Sequence, residues 1–294
     1  GAISPAGDAV AIDPAICAGC GGCGALGPTG AASYALPAPD RLMQTLRTLL
    51  ATYHGAGGTN PVLLIHDGGH GEDMIHALSH HGAGLPANVL PLAVNEVTQL
   101  GLESLAAAFA YGARAVRILT RSKPRHDETA LHKTLELGGA ILSGLGFAPD
   151  AAALIATDDP DALGAALAAL TTGAAVATPS SFLPVGAKRQ VQRLALSELA
   201  SVAPAPQPRI ALPEGAPMGR VVVREEGCTL CLACVSACPT AALNANPDRP
   251  ELKFAEDLCV QCGLCARTCP EKVISLEPRL DFEAILAPPV TLKQ

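Results

Sequence analysis

Cys228-Thr-Leu-Cys231-Leu-Ala-Cys234-Val-Ser-Ala-Cys238-Pro239 is followed within the next thirty or so residues by Cys259-Val-Gln-Cys262-Gly-Leu-Cys265-Ala-Arg-Thr-Cys269-Pro270. One spacing, C-x2-C-x2-C-x3-C-P, therefore occurs twice. A cubane iron–sulfur cluster needs thiolates converging from different directions, and three cysteines at every third position wrap a tight loop around three of its irons. The fourth thiolate must come from elsewhere in the chain. The proline after each run turns the chain and has no N–H to leave unpaired. Ala233, Ala237, Gly263 and Ala266 are small enough for backbone amides to approach cluster sulfurs. Structural zinc sites usually combine C-x2-C or Cys and His pairs rather than tandem four-cysteine runs. Disulfides suit so dense a packing of cysteines less well than metal ligation does.

These eight cysteines and two prolines closely resemble the bacterial-type two-cluster ferredoxin family. In that family the last cysteine of each run ligates the other run's cluster. The resemblance thus implies two [4Fe-4S] clusters, one on Cys228, Cys231, Cys234 and Cys269 and the other on Cys259, Cys262, Cys265 and Cys238. It also implies single-electron transfer to or from a partner protein.

Composition narrows the alternatives. The chain has 294 residues, 49% of them apolar, enough for two or three domains with full cores. A net charge of −7 and no visible basic patch argue against nucleic acid. With 3% aromatics and no Trp, base-stacking platforms are not expected either. The longest uncharged stretch, Ala162 to Ala187, is rich in Ala and Gly and is broken by Thr171-Thr172-Gly173 and Pro179, so no membrane span is expected. Eleven cysteines fit a reducing compartment, which makes the cytoplasm the expected location.

The remaining three cysteines, Cys17, Cys20 and Cys23, belong to an internal repeat. Gly1 aligns with Ala241, Val10 to Ile12 with Leu252 to Phe254, and Cys17 with Cys259. Ahead of Gly1 the pattern calls for a Cys-Pro-Thr and a further cluster loop, so the chain reads as an excerpt. Gly27 stands where the fourth cysteine belongs. Residues 1–36 are expected to form a partial ferredoxin-like segment whose three thiolates make an incomplete third cluster site. Such a site can hold a cubane with an exchangeable fourth ligand, hold a three-iron cluster, or be a degenerate loop kept for packing.

From Pro37 the pattern alternates between helix and strand. Asp40 is expected to cap a helix bearing Leu42, Met43, Leu46, Leu49 and Leu50. Strands are expected at Val62–Ile65, Asn88–Val94 (interrupted by Pro91), Ala115–Leu119 and Ala152–Ala156, with a fifth at Ala174–Ala177. Helices are expected at about 72–80, 102–111, 126–145, 162–170 and 187–199. The alternation predicts an α/β domain over residues 37–200, an open parallel sheet with helices on both faces. A Pro-rich linker (201–219), an α+β two-cluster ferredoxin-like domain (220–280) and a C-terminal tail (281–294) complete the expected organisation.

The middle domain has no cysteine, and His66-Asp-Gly-Gly-His-Gly matches no phosphate-loop pattern. All eight histidines lie between residues 54 and 132. Glu72, His76 and His80 share a helix face near His70 and His81, read as either a metal site or a solvated face. Asp67 and His70, at the end of the first sheet strand, sit where open sheets bind ligands.

Val62-Leu-Leu-Ile, Val94-Asn-Glu-Val-Thr-Gln-Leu-Gly-Leu-Glu-Ser-Leu and Ala110-Tyr-Gly-Ala-Arg-Ala-Val-Arg-Ile-Leu look like the small electron-transfer subunit of hydrogenases coupled to heterodisulfide reductase. That family places cluster cysteines at strand ends where this chain has His66-Asp67 and Thr120-Arg121, so its cluster does not carry over. The order of segments is similar to multi-cluster ferredoxin proteins that accompany molybdenum formate dehydrogenases. These likenesses imply formate dehydrogenase or hydrogenase as the redox partner. Two other functions are compatible with the sequence: a flavin- or ligand-binding redox enzyme subunit using the α/β domain, and a cluster-delivery or maturation factor.

Overall fold

The computed structural model describes residues 1–7, 9–170 and 173–294. Asp8 of the first segment, and Thr171 and Thr172 of the uncharged stretch, lie outside the described residues. The chain divides into two compact units, Gly1–Pro206 and Gln207–Gln294.

The first unit opens with a hairpin, β1 (Ile3–Ala6) and β2 (Ala9–Ile12), then a short helix α1 (Gly22–Leu26) and a long one, α2 (Pro39–Gly55). Next come β3 (Val62–Asp67), α3 (His70–His81), β4 (Val89–Val94), α4 (Leu102–Ala110), β5 (Ala115–Thr120), α5 (Thr129–Gly144), β6 (Ala152–Ala156), α6 (Pro160–Ala168) and α7 (Lys188–Val202). The strands form one parallel sheet in the order β4-β3-β5-β6, an α/β layer architecture. Leu46 and Leu50 of α2 are fully buried, each worth about 1.5–3 kcal/mol of hydrophobic stabilisation.

Val62 and Leu64 pack with Met74 and Leu78 of α3 and Leu163 and Leu167 of α6. The alternate residues Leu63 and Ile65 are buried just as completely, so both faces of β3 are covered, as a parallel strand requires. Pro91 is tolerated because β4 is an edge strand, where a missing N–H breaks no ladder. Asp159 caps α6, accepting from the Asp161 N–H at 3.0 Å. Asp40 does not cap α2; Ala38 stands there, followed by Pro39 in the first turn. Ala174–Ala177, expected as a fifth strand, has no strand conformation. Short, small side chains gave that stretch apolar character without the bulk that holds a strand in a sheet.

The second unit contains β7 (Arg209–Ala211), β8 (Gly219–Val223), α8 (Ala233–Ser236), β9 (Leu243–Ala245), β10 (Leu252–Phe254), α9 (Leu264–Thr268), β11 (Ile274–Asp281) and β12 (Val290–Lys293). They form two small antiparallel sheets, β7-β11-β8 and β12-β10-β9. β7 comes from the Pro-rich stretch and β12 from the C-terminal tail. Arg279 donates to Glu256 at 2.8 and 2.6 Å, a buried bidentate pair that ties β11 to the turn before Cys259.

Candidate metal centre

Each cysteine run folds into a loop closed by a short helix. Cys228 follows the turn Glu225–Gly227 and Cys259 follows the turn Glu256–Leu258. The third residue of each run, Leu230 or Gln261, and the fifth, Leu232 or Gly263, adopt positive φ of 53° or 53° and 59° or 77°. After each Cys-Pro, Ala241 and Lys272 do so again at 54° and 49°. For a non-glycine residue this left-handed conformation costs about 1–2 kcal/mol, so the loops hold strain at their sites.

The loops surround two cavities. One is lined by Cys228, Cys231, Cys234 and Cys269. The other is lined by Cys238, Cys259, Cys262 and Cys265. The fourth cysteine of each run thus lies against the other run's loop. The walls are otherwise mostly apolar, with Val273, Ile274 and Leu252 at the first and Val221, Phe254 and Leu276 at the second.

Among the described residues, no three Cys, His, Asp or Glu side chains converge where a single metal ion would sit. The thiols instead bound a volume. A set of four sulfurs around such a space, in walls whose other polar side chains are Thr229 and Glu271 or Thr240 and Gln261, fits a polynuclear iron–sulfur core and not a zinc ion.

Electrostatics agree with ligation by thiolates that are poorly stabilised on their own. Burial pushes the thiols of Cys234 and Cys259 up, and carries Cys265 to about 11, with Cys259, Cys262 and Cys238 adding to the rise. At Cys238 burial acts the same way but is outweighed by hydrogen bonds from the Leu243, Thr240 and Ala242 backbone and the Thr240 hydroxyl, so its thiol titrates lower than usual. Iron, when bound, would supply the positive charge the buried sulfurs lack and displace their protons. The Gln261 side-chain amide donates to Cys259 Sγ at 3.4 Å.

Residues 227–273 match the family of 4Fe-4S dicluster domains. No curated protein and no solved structure gave a match. The matched segment is an iron–sulfur electron-transfer module, and its eight cysteines imply two [4Fe-4S] clusters.

The first unit holds the other cysteine loop. Its β1–β2 register pairs Ile3 with Ile12, as β9–β10 pairs Leu243 with Phe254. The loop lies against the turn Val97–Gln99 and α5. Thr98 Oγ1 donates to Cys20 O at 2.5 Å, and the Tyr34 hydroxyl donates to Gly19 O. Burial, then Glu96, then the three nearby thiolates push the Tyr34 phenol up to about 12. Lys188 Nζ donates to the carbonyls of Gly24, Ala25 (2.7 Å) and Gly27 (2.9 Å), with Glu103 at 3.7 Å. Burial lowers the Lys188 pKa and raises that of Glu103, each opposed by the partner's charge. Sequence reasoning missed Thr98, Tyr34 and Lys188, because backbone carbonyl acceptors leave no side-chain signature.

The middle-domain candidates have structural duties. Asp67 Oδ1 accepts from the Gly69 and Gly71 N–H groups at 2.8 and 3.1 Å, shaping the entry to α3. His70, buried, bonds Thr157 O through Nε2 at 2.9 Å and ties that entry to the end of β6. Glu72, His76 and His80 lie on an exposed face.

Proposed function

We propose that this chain is an electron-transfer protein or subunit that relays single electrons to or from a partner oxidoreductase, with formate dehydrogenase or hydrogenase as the partner class. The observation that carries the reading is the four-and-four division of eight cysteines between two cavities. Cys228, Cys231, Cys234 and Cys269 would hold one cluster and Cys259, Cys262, Cys265 and Cys238 the other. The clusters, when bound, supply one-electron redox chemistry.

The chain's own residues seat them, exclude water with apolar walls, and direct amide N–H groups at sulfur. Cys231 and Cys262, the second cysteine of each run, are exposed and mark the sides open to a partner. Among the described residues no helix is long and apolar enough to cross a membrane. Eleven cysteines in one chain support a reducing, cytoplasmic setting.

Anaerobic analysis is expected to give at least about eight irons and eight sulfides per chain, with paramagnetic resonance signals on reduction. The dithionite-reduced chain, freed of excess dithionite, should then be reoxidised without losing iron by formate dehydrogenase supplied with carbon dioxide, or by hydrogenase passing its electrons to protons as dihydrogen. Zinc without sulfide overturns the reading. Net transfer of iron to an apo-acceptor, with no electron exchange, replaces it with cluster delivery.

A further inference from the structure

Residues 17–30 reproduce the backbone of the intact cluster loops at each of the following positions. Gly19 and Gly21 have φ of 70° and 77°, where Leu230 and Leu232, and Gln261 and Gly263, are also left-handed. Gly30, at 74°, stands where Ala241 and Lys272 repeat the same turn. The Gly27 N–H bonds Cys23 O at 2.9 Å, as the Cys269 N–H bonds Cys265 O at 3.1 Å. Gly27 itself has φ −61° and ψ 116°, against −64° and 114° for Cys269. Even the strand entry agrees: Asp13 N–H to Ala2 O and Ala255 N–H to Ala242 O are both 2.8 Å.

A degenerate loop kept for packing has no reason to preserve a conformation whose use is to aim three sulfurs at one volume. The packing it does make explains its glycines. A Cβ on Gly21 would lie 2.6 Å from Gln99 Cβ, and one on Gly22 would lie 3.0 Å from Ala130 Cβ. The loop is therefore fitted against the α/β unit without losing the shape of a cluster loop.

We propose that Cys17, Cys20 and Cys23 hold a third iron–sulfur cluster on three thiolates, with one iron bound by an exchangeable ligand other than the eleven cysteines. The inference rests on the reading of the C-terminal unit as an intact two-cluster module. There, the loop of Cys259, Cys262 and Cys265 takes its fourth sulfur from Cys238, and none of residues 1–16 is a cysteine that could play this part. The other eight cysteines are divided between the two C-terminal cavities, so none is left to complete the set. Cys17 and Cys23 are exposed, whereas Cys259 and Cys265 are buried, which leaves the site open to an exchangeable thiol, hydroxide or partner side chain.

The test uses the 294-residue chain after anaerobic reconstitution. Iron and sulfide are expected at about twelve per chain, falling to about eight in Cys17→Ser/Cys20→Ser/Cys23→Ser. Alkylation of the unaltered, loaded protein with iodoacetamide, mapped by mass spectrometry, needs no variant and should spare all eleven cysteines. Modification of Cys17, Cys20 and Cys23 alone overturns the third site and leaves the two-cluster reading standing. Modification of the C-terminal eight as well sinks both. Ferricyanide should take one electron and release one iron(II) per chain, leaving a [3Fe-4S]⁺ resonance signal that is absent from the triple variant. The same signal at full strength in the triple variant overturns the three-thiolate assignment.

Discussion

At the scale of single residues, Cys238 joins two loops. Its sulfur is anchored by the turn into β9, receiving hydrogen bonds from the Leu243, Thr240 and Ala242 backbone, yet it faces the cavity of Cys259, Cys262 and Cys265. Cross-ligation makes a sharp forecast for double variants. Cys238→Ala should remove about four irons, and Cys238→Ala/Cys259→Ala no more than that, whereas Cys238→Ala/Cys228→Ala should remove about eight. Ligation within each run would reverse the two double-variant outcomes in iron analysis. The cysteines themselves were legible in the sequence, since thiolate spacing is a side-chain pattern. The amides that support them were not, because every residue type except proline carries the same N–H.

At the scale of elements, the three loops share one turn geometry but differ in what covers them. Gly21 is pressed against Gln99, whereas a Cβ on Gly263 would first meet Leu276 Cδ1 at an ordinary 3.7 Å. Gly263→Ala should therefore cost about 1 kcal/mol, the left-handed conformation alone. Gly21→Ala should cost about 3 kcal/mol because a close contact is added. Thermal unfolding of the two variants compares them, and equal losses would contradict the packing argument.

The alternation of strands and helices over residues 62–168 was readable from apolar runs and turn residues. The pairing of β12 with β10 and of β7 with β11 was not. Both are strands of three or four residues, too short for a period of two to show, and they exist only because a neighbouring edge accepts them. The hairpin shows the converse limit: Ile3 and Ile12 are exposed at 47% and 38%, while their counterparts Leu243 and Phe254 are buried in the core with Val221. Sequence likeness predicted the shared register but not what lies over it.

For the whole molecule, the two units draw stability from different sources. The first has an ordinary sheet-and-helix core. In the second, Cys234, Cys259 and Cys265 belong to the hydrophobic core itself, beside Val221, Leu243, Leu252 and Phe254, and a unit of its size has only a small core to lose. Removing iron with a chelator under reducing conditions should abolish the cooperative unfolding transition of residues 207–294 and leave that of the α/β unit within a few degrees of its original midpoint. Calorimetry of the loaded and stripped chain reads both at once, and two unchanged transitions would contradict it.

Lys188 also sets an order of events in time. Its bond to Ala25 spans 163 residues, so Cys17, Cys20 and Cys23 belong to a loop that is clamped only after α7 has been made and docked. The C-terminal loops close on partners about forty residues away or nearer, between Cys228 and Cys269. The loop of Cys17, Cys20 and Cys23 therefore waits far longer after its own synthesis to become rigid, and during that interval its three thiols remain open to whatever carrier delivers iron and sulfide.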